Sequence, residues 1–326
     1  MSPSVTVAVV SWNTRALLRL CLHSFAADVE AGRAQVWVVD NASEDGSAEM
    51  VRTEFPGVEL VASAENLGFG SAVNLVAERT RSDWIAPANA DVELAPGALE
   101  ALLTAGQRHP ESGALAPRLV LPDGSTQHSV YPLPTLGFTL LFNLGLHRLS
   151  RRLADRLCLV GFWNPDRPRE VGWPVGAFLL VRRTAWDEVG GFDPLQWMYA
   201  EDLDLGWRLA RAGWRRRYEP RAVVHHAESA AALQAFGDGR IARWMDATYS
   251  WMARRRGIAL TWAVAGVNCG GAGARFALFS VLARARPERF GGPARRARFW
   301  VAAHRRGLRS RSALAAKVAG GAQGRI

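Results

Sequence analysis

The chain has few cysteines and no stretch that resembles a leader. Its 326 residues include three cysteines, Cys21, Cys158 and Cys269, which are odd in number and too widely spaced to form a metal-ligand motif. This pattern excludes a disulfide framework and favours a reducing compartment. No basic segment precedes the first apolar run at Val5–Val10, so the sequence predicts a cytoplasmic protein without a secretory signal.

Acidic residues are scarce in the last quarter of the chain. The net charge is +10, but residues 1–130 carry −8, residues 131–239 carry +2 and residues 240–326 carry +16. Such a basic tail fits a solvated helical face, an anionic membrane surface or nucleic acid. Tryptophans at positions 244, 251, 262 and 300 alternate with arginines, which favours a membrane over nucleic acid because amphipathic rings suit headgroup depth. We therefore expect either a solvated tail or a peripheral contact with the inner face of a membrane, and no nucleic-acid partner.

Long apolar runs and glycine-rich phosphate loops are also missing. The longest uncharged stretch, Gly257–Ala274, has 18 residues but contains five glycines and Asn268, so we expect that it does not span a membrane. No G-x-G-x-x-G pattern follows the first apolar run, which disfavours a nicotinamide-dependent enzyme. Ser11–Arg15 contains no glycine, which argues against a nucleotidyltransferase.

Alternating apolar and amphipathic segments fill the first part of the chain. Strand-like runs near residues 5–10, 35–39, 58–61 and 84–86 are separated by helical patterns, which is typical of βαβ units and a doubly wound sheet. Ser11, Asp40, Asn66 and Asp91 follow the strand ends, where such sheets bind their ligands. Residues 240–326 predict two or three basic amphipathic helices.

Carboxylates occur at two separate positions in the sequence that a single active site could combine. Glu201, Asp202 and Asp204 fall within four residues of each other after an apolar aromatic run, and Asp91 ends an apolar segment far upstream. Carboxylates near apolar surface are costly unless they are paired or used. One carboxylate to hold a cation and one to take a proton is the requirement of metal-assisted group transfer.

Several short motifs occur in an order that points to one protein family. The chain resembles the inverting family 2 glycosyltransferases with a GT-A fold, in their rhamnosyltransferase-like branch, over residues 5 to about 230. The resemblance implies an α/β, Rossmann-like, doubly wound and mostly parallel sheet with a C-terminal basic helical extension. The matching pieces are Val9–Asn13, Val39–Ser47, Asn66–Gly70 with Asn74, Asn89–Asp91, Gly176–Phe178, Gly190–Asp193, Glu201–Leu205 with Arg208, and Gly213, Pro220, His225, His226 and Ser229.

The resemblance implies a nucleotide-sugar-binding half at residues 1–115, an acceptor-binding half at 116–239 and the basic helices at 240–326. It implies Asp202 as the catalytic base, assisted by Glu201, and Mg²⁺ or Mn²⁺ held by Asp91 and by His225 or His226. The nucleotide-sugar residues would be Ser11, Asn13, Asp40, Asn66, Gly68, Asn74, Asn89 and Arg208. The acceptor residues would be Trp173, Gly176, Ala177 and Trp197.

Structural alternatives stay open for several of these residues. Asp40 also fits a turn cap, Arg208 also fits an i,i+4 ion pair with Asp204, and the tryptophans also fit core packing. Counting along the motif does not decide between His225 and His226. Asn89 stands where the family motif has a carboxylate, so Asp91 is left as the single full carboxylate there.

The implied reaction is sugar transfer from a dTDP- or UDP-sugar, with L-rhamnose from dTDP-L-rhamnose as the leading donor. The acceptor would be a hydroxyl of a polyprenyl-diphosphate-linked sugar or another glycolipid or glycan, or a small soluble molecule. A catalytically inactive nucleotide-binding or scaffold protein is the alternative from a different class, although it predicts loss of the acidic residues that this chain retains.

Overall fold

The computed structural model describes residues 3–227 and 240–309; Ser229 and the tail from residue 310 lie outside them. The chain divides into two compact units. Within the described residues, the first unit comprises 3–133 and 155–227, and the second comprises 134–154 and 240–309. The second unit thus adds a segment from the middle of the chain to the C-terminal helices. The boundary between residues 115 and 116 stays a prediction.

The first unit contains the strands. They are β1 (Val5–Ser11), β2 (Ala34–Asn41), β3 (Glu59–Ser63), β4 (Trp84–Asn89), β5 (Val92–Leu94), β6 (Ser112–Val120), β7 (Val130–Tyr131), β8 (Arg169–Glu170), β9 (Trp173–Pro174), β10 (Leu180–Arg182) and β11 (Arg215–His226).

The main sheet has the order β3-β2-β1-β4-β10-β6-β11-β5, with β8 on β11, while β7 and β9 form a separate pair. The pairings give β1, β2, β3, β4, β6 and β11 one direction and β5, β8 and β10 the other. The predicted mostly parallel α/β sheet is therefore confirmed. Because the parallel strands share a direction, their carboxyl ends meet at one edge.

The helices of the first unit are α1 (Arg15–Ser24), α2 (Ala26–Glu30), α3 (Ser47–Glu54), α4 (Phe69–Arg79), α5 (Ala98–Arg108), α8 (Arg183–Val189) and α9 (Glu201–Arg211), and α7 (Arg151–Arg156) crosses the boundary between the units. The second unit contains α6 (Leu136–Asn143), a 3₁₀ turn at Leu146–Leu149, α10 (Arg240–Arg256), α11 (Ile258–Ala285) and α12 (Pro287–Arg309).

Two apolar layers cover the two faces of the sheet. Val5, Val7 and Val9 pack into one layer, and Ala8 packs into the other. This period of two is the alternation of a strand, and burial on both sides explains why β1 is apolar throughout. Helices α1, α3 and α5 supply buried residues to the first layer, and α4, α8 and α9 supply them to the second.

Some sequence expectations need correction. The apolar segment Gly172–Arg182 has the composition of a single strand, but only 173–174 and 180–182 are strand, because the backbone between them bonds Asp202 and Asn89. The C-terminal helices are not all amphipathic, since α11 carries only Arg275 and Arg284 as charged residues. Trp251 is fully buried, whereas Trp262 is exposed, so the alternation of tryptophan with arginine does not by itself mark a surface.

Candidate active site

Two of the polar residues predicted at the strand ends, Ser11 and Asp40, meet at one edge of the sheet, with Asn89 beside them. Ser11 on β1 lies opposite Asp40 on β2, and Val10 lies opposite Asn89 on β4. Asp40, Ser11 and Asn89 thus lie at the ends of the adjacent strands β2, β1 and β4. Because neighbouring strands lie about 4.8 Å apart, the three residues are close together.

Asp40 is almost fully buried, and only one of its two carboxylate oxygens accepts a hydrogen bond within the described residues. Its Oδ2 accepts a hydrogen bond from the backbone N–H of Ser43 at 3.1 Å, as a turn-capping aspartate would. Its Oδ1 is buried and has no hydrogen-bond partner within the described parts of the chain. A buried acceptor without a partner is costly. Asp40 therefore caps a turn and also retains an oxygen able to accept an N–H from a ligand.

The loops after β1 and β2 are locked together. The backbone N–H of Asn13 donates to Ser43 Oγ at 2.9 Å, and Asn13 Oδ1 accepts from the N–H of Glu44 at 2.7 Å. Asp45 Oδ2 accepts from the N–H of Arg15 at 2.8 Å. Ser11 Oγ, also buried, bonds Thr14 Oγ1 at 3.0 Å. Ser11 and Asn13 thus shape the edge around Asp40.

Asn66, Gly68 and Trp197 form one contact cluster. Asn66 Oδ1 accepts from the N–H of Gly68 at 3.0 Å, and the Trp197 indole N–H donates to the Asn66 carbonyl at 3.2 Å. Gly68 has a φ of 78°, and a Cβ there would lie 2.4 Å from the Trp197 carbonyl oxygen, so only glycine fits. Trp197, predicted for the acceptor, lies against this predicted donor loop and remains 45% exposed.

Two of the predicted nucleotide-sugar residues have structural partners. Asn74 uses both ends of its amide on the backbone of Phe192, donating to its carbonyl at 2.8 Å and accepting from its N–H at 2.9 Å. Arg208 donates to Asp204 Oδ2 at 2.6 Å and to the carbonyl of Val189 at 2.5 Å. The i,i+4 pair that the sequence left open is therefore formed, with Asp204 fully buried.

Asp91 and His226 come together at the same edge. Asp91 lies in the turn between β4 and β5, and β5 pairs with the end of β11, so that His226 Nε2 lies 3.3 Å from Asp91 Oδ1. Both residues are buried. Successive residues of a strand alternate between its faces, and His225 is exposed. The structure therefore brings one histidine of the pair to Asp91 and leaves the other on the opposite face.

Gln127 orients His226, and nothing in the sequence pattern pointed to it. Its Oε1 lies 2.7 Å from His226 Nδ1. An amide oxygen can only accept, so a hydrogen bond here requires a proton on Nδ1 and leaves Nε2 facing Asp91 Oδ1. A ring nitrogen beside a carboxylate oxygen is an arrangement that can serve a shared cation.

Asp202 stands at the beginning of α9, after a backbone turn with positive φ at Tyr199 (65°) and Ala200 (62°). Its Oδ2 accepts from the N–H of Gly176 at 3.0 Å, and its Oδ1 accepts from the N–H of Leu203 at 2.7 Å. Non-glycine residues with positive φ store backbone strain, which is commonly found at functional sites.

Burial raises the pKa of both carboxyl groups at this helix start. For Glu201 the larger cause is burial and the next is the nearby charge of Asp202. For Asp202 burial also raises the pKa, while the N–H groups of Gly176 and Leu203 lower it and favour the carboxylate. Glu201 Oε2 is buried and lacks a hydrogen-bond partner among the residues that the structure covers.

The segment Gly176–Ala177 connects the two acidic places. The Gly176 N–H binds Asp202, and the Ala177 carbonyl accepts from the N–H of Asn89 at 2.8 Å, two residues before Asp91. A Cβ on Gly176 would lie 3.3 Å from Cβ of Asp202, closer than most side chains tolerate. Asp202 and the Asn89–Asp91 segment, which are far apart in sequence, are thus connected through the N–H of Gly176 and the carbonyl of Ala177.

Trp173 packs as a core residue. It is buried, stacks on Tyr131 with ring centroids 4.7 Å apart, and covers Gly206 of α9. Asn41 is a further residue that the sequence reasoning missed. Its Nδ2 donates to the Gly68 carbonyl at 3.4 Å, which connects the end of β2 with the Asn66 loop.

The donor set at Asp91 fits a divalent cation that is shared with a ligand. Within the described residues, no group of three or more His, Cys, Asp or Glu side chains is arranged to hold a metal ion alone. Asp91 and His226 supply one oxygen and one nitrogen, and Nε2 of His226 is buried with no hydrogen-bond partner within those same residues. Mg²⁺ and Mn²⁺ are commonly held by one or two protein groups together with substrate phosphates.

Two family models match the sequence. Glycosyl transferase family 2 matches residues 6–151, and Glycosyl transferase family group 2 matches residues 158–301. Together they cover both the strand-rich unit and most of the C-terminal helices.

Two curated proteins of Mycobacterium tuberculosis are similar in sequence. An N-acetylglucosaminyl-diphospho-decaprenol L-rhamnosyltransferase is 36% identical over 242 residues, which are 69% of this chain and 77% of that protein. A pre-mycofactocin glycosyltransferase is 32% identical over 230 residues, which are 68% of this chain and 42% of that protein.

A solved structure shares the fold. A mannosyltransferase from Pyrobaculum calidifontis, in complex with GDP-Man and Mn²⁺, matches with a TM-score of 0.56 and 19% identity, over 98% of this chain and 87% of that chain. The expected GT-A fold is confirmed by this likeness.

Proposed function

Because the chain belongs to the family 2 glycosyltransferases, in their rhamnosyltransferase-like branch, we propose that it transfers L-rhamnose from dTDP-L-rhamnose to a polyprenyl-diphosphate-linked sugar. The transfer inverts the anomeric centre in a single displacement. The observation that carries the proposal is the Gly176–Ala177 connection, which joins a partly buried carboxylate, that of Asp202 at the start of α9, to the Asp91–His226 pair.

The nucleotide binds along the strand ends. Asp40 Oδ1 accepts the N3–H of thymine or uracil, which supplies the partner that this buried oxygen otherwise lacks among the described residues. Ser11, Asn66, Gly68 and Asn89 line the donor side. The contacts of Asn13, Asn74 and Arg208 support roles in holding the surrounding loops in place.

Asp91 and His226, with the Asn89 amide nearby in sequence, would hold Mg²⁺ or Mn²⁺. When bound, such an ion neutralises the diphosphate of the donor. The hydrogen bond to Gln127 keeps His226 in the tautomer that offers Nε2. His225, on the other face of β11, has no part in this proposal.

Asp202 removes the proton from the acceptor hydroxyl. The hydroxyl oxygen then attacks the anomeric carbon, the bond to the diphosphate oxygen breaks, and the nucleoside diphosphate leaves with the electron pair. Burial makes Asp202 a stronger base than an exposed aspartate, and the N–H groups of Gly176 and Leu203 keep it ionised. Glu201, through its open Oε2, binds the acceptor, whose site extends past Gly176 and Ala177 towards Trp197. Trp173 supports α9 from behind.

The acceptor is proposed to be carried by a lipid at the cytoplasmic face of a membrane. Support comes from the 36% identical rhamnosyltransferase, whose name specifies a decaprenol-linked acceptor. The second candidate is transfer to a soluble small molecule, which is kept because the name of the 32% identical pre-mycofactocin glycosyltransferase specifies no lipid carrier.

Thermal stabilisation by nucleotides tests the donor site. A ligand at about 100 times its Kd adds about 2.7 kcal/mol to the free energy of unfolding. We expect Mn²⁺-dependent stabilisation by dTDP and UDP and a smaller effect of ADP and GDP. Asp40→Asn is the matched variant, because it keeps the shape of the side chain and replaces an acceptor oxygen by a donor. Equal stabilisation by all four nucleotides, or none by any, would contradict the proposed donor.

A further inference from the structure

Exposed apolar side chains are concentrated in the second unit. Of the sixteen large apolar side chains that are exposed within the described residues, eleven lie there, although this unit holds less than a third of those residues. Single exposed apolar residues are ordinary, but a concentration of them indicates a binding surface.

The outward side of α11 is the longest such surface. Ile258, Trp262 and Phe276 lie along one border of it, and Leu278 and Val281 lie along the other. Exposed small residues, among them Ala259, Ala263 and Gly266, fill the strip between these borders at helical spacing. We call this surface the α11 face.

The α11 face carries no charged side chain between residues 258 and 281. Arg275, the charged residue in this range, belongs to the opposite side of the helix, where it bonds Asn143 Oδ1 at 3.1 Å. At 1.5 Å per residue the uncharged face is about 35 Å long. A helix face in contact with water normally carries polar residues along such a length.

Arginines are abundant in the second unit, and several lie just beyond the end of this uncharged face. The described residues of the second unit, 134–154 and 240–309, contain eighteen arginines and two acidic residues, a net charge of +16. Arg284, Arg286 and Arg289, at the end of α11 and the beginning of α12, are exposed. The occupant must therefore offer both apolar matter and negative charge, which disfavours a second copy of this strongly basic unit.

We propose that the α11 face binds the surface of an anionic lipid bilayer, with the helix lying in the plane of the headgroups. Within residues 3–227 and 240–309, no helix is both long and apolar enough to cross a membrane. Apolar residues and Trp262 enter the headgroup boundary, and the arginines beside them attract anionic lipid. The inference goes beyond the proposed function, since vesicle binding requires no donor sugar.

Flotation with lipid vesicles tests the proposal on the full-length protein. We expect binding to phosphatidylcholine vesicles that contain phosphatidylglycerol, at least about tenfold weaker binding to pure phosphatidylcholine, and loss of binding as salt rises from about 0.05 to 0.5 M. The double variant Trp262→Glu/Val281→Glu should bind anionic vesicles at least about tenfold more weakly. Leu20→Glu is the control, because Leu20 is similarly exposed but lies on α1 of the first unit.

Two further readouts make the result decisive. Circular dichroism and stabilisation by dTDP show that the variants are folded and separate this test from that of the donor site. Sedimentation velocity reports self-association. Vesicle binding that is absent at low salt, or unchanged in the double variant, would overturn the proposal. So would a dimer that the double substitution dissociates in a protein that binds no vesicles, because the face would then belong to a second copy.

Discussion

At the scale of single residues, the site combines buried groups whose hydrogen bonding is incomplete within the described residues. Asp40 Oδ1, Glu201 Oε2 and His226 Nε2 are all buried without a hydrogen-bond partner in that part of the chain. Each such group costs free energy in the folded protein unless a ligand supplies the partner. Asp40 and His226 lie at the ends of β2 and β11, and Glu201 begins α9. Incomplete hydrogen bonding at such positions is what a ligand-binding site would use.

Asp202 provides the residue-scale prediction. Its folded pKa is raised by burial above the unfolded value of about 3.9, so between these two pKa values the folded state binds more protons. The free energy of unfolding therefore falls as pH rises through that window, and it stays reduced above it. Asp202→Asn removes the buried charge, so we expect equal or greater thermal stability at about pH 8.

The same variant should lose transfer by about 10²–10⁴-fold while nucleotide affinity changes by no more than a few-fold. In the native enzyme, kcat/KM should rise with pH through the raised pKa of the base. Turnover like that of the native enzyme, or a large loss of nucleotide affinity, would remove Asp202 from the role of base.

At the scale of elements, strand register decides what the motif could not. The sequence alone does not distinguish His225 from His226 as the candidate metal ligand. The pairing of β5 with β11 places His226 beside Asp91. We expect His226→Ala to weaken Mn²⁺-dependent nucleotide binding at least about tenfold. His225→Ala is the matched control on the exposed face and should leave it unchanged. Isothermal titration across Mn²⁺ concentrations measures both, and equal effects of the two substitutions would contradict the metal role of His226.

Some strands could be predicted from the sequence and other segments of the site could not. The β1, β2 and β4 strands and the polar residues at their ends follow from local apolar patterns. Residues 175–179 have the composition of a strand, yet the backbone there bonds Asp202 and Asn89, which are distant in sequence. Gln127 carries no local signal either. Contacts of this kind depend on tertiary packing, which periodicity does not encode.

At the scale of the whole molecule, charge and apolar exposure are divided between the two units. The acidic N-terminal part supplies the sheet edge that we propose binds the donor, and the basic second unit supplies the α11 face. Overall charge was predictable from composition. Which tryptophans are exposed was not predictable: Trp251, shortly before three arginines, is buried, whereas Trp262, in an uncharged segment, is exposed. Helix packing therefore decides their exposure.

A transfer assay with defined donor and acceptor tests whether the protein is a rhamnosyltransferase. The full-length protein is incubated with dTDP-L-rhamnose, Mn²⁺ and a synthetic polyprenyl-diphosphate-linked N-acetylglucosamine, with Asp202→Asn as the control, and the lipid is analysed by mass spectrometry. We expect the native protein to add one rhamnose and release dTDP, and the variant to leave the acceptor unchanged. No rhamnosylated lipid with the native protein, or equal product with Asp202→Asn, would contradict this expectation.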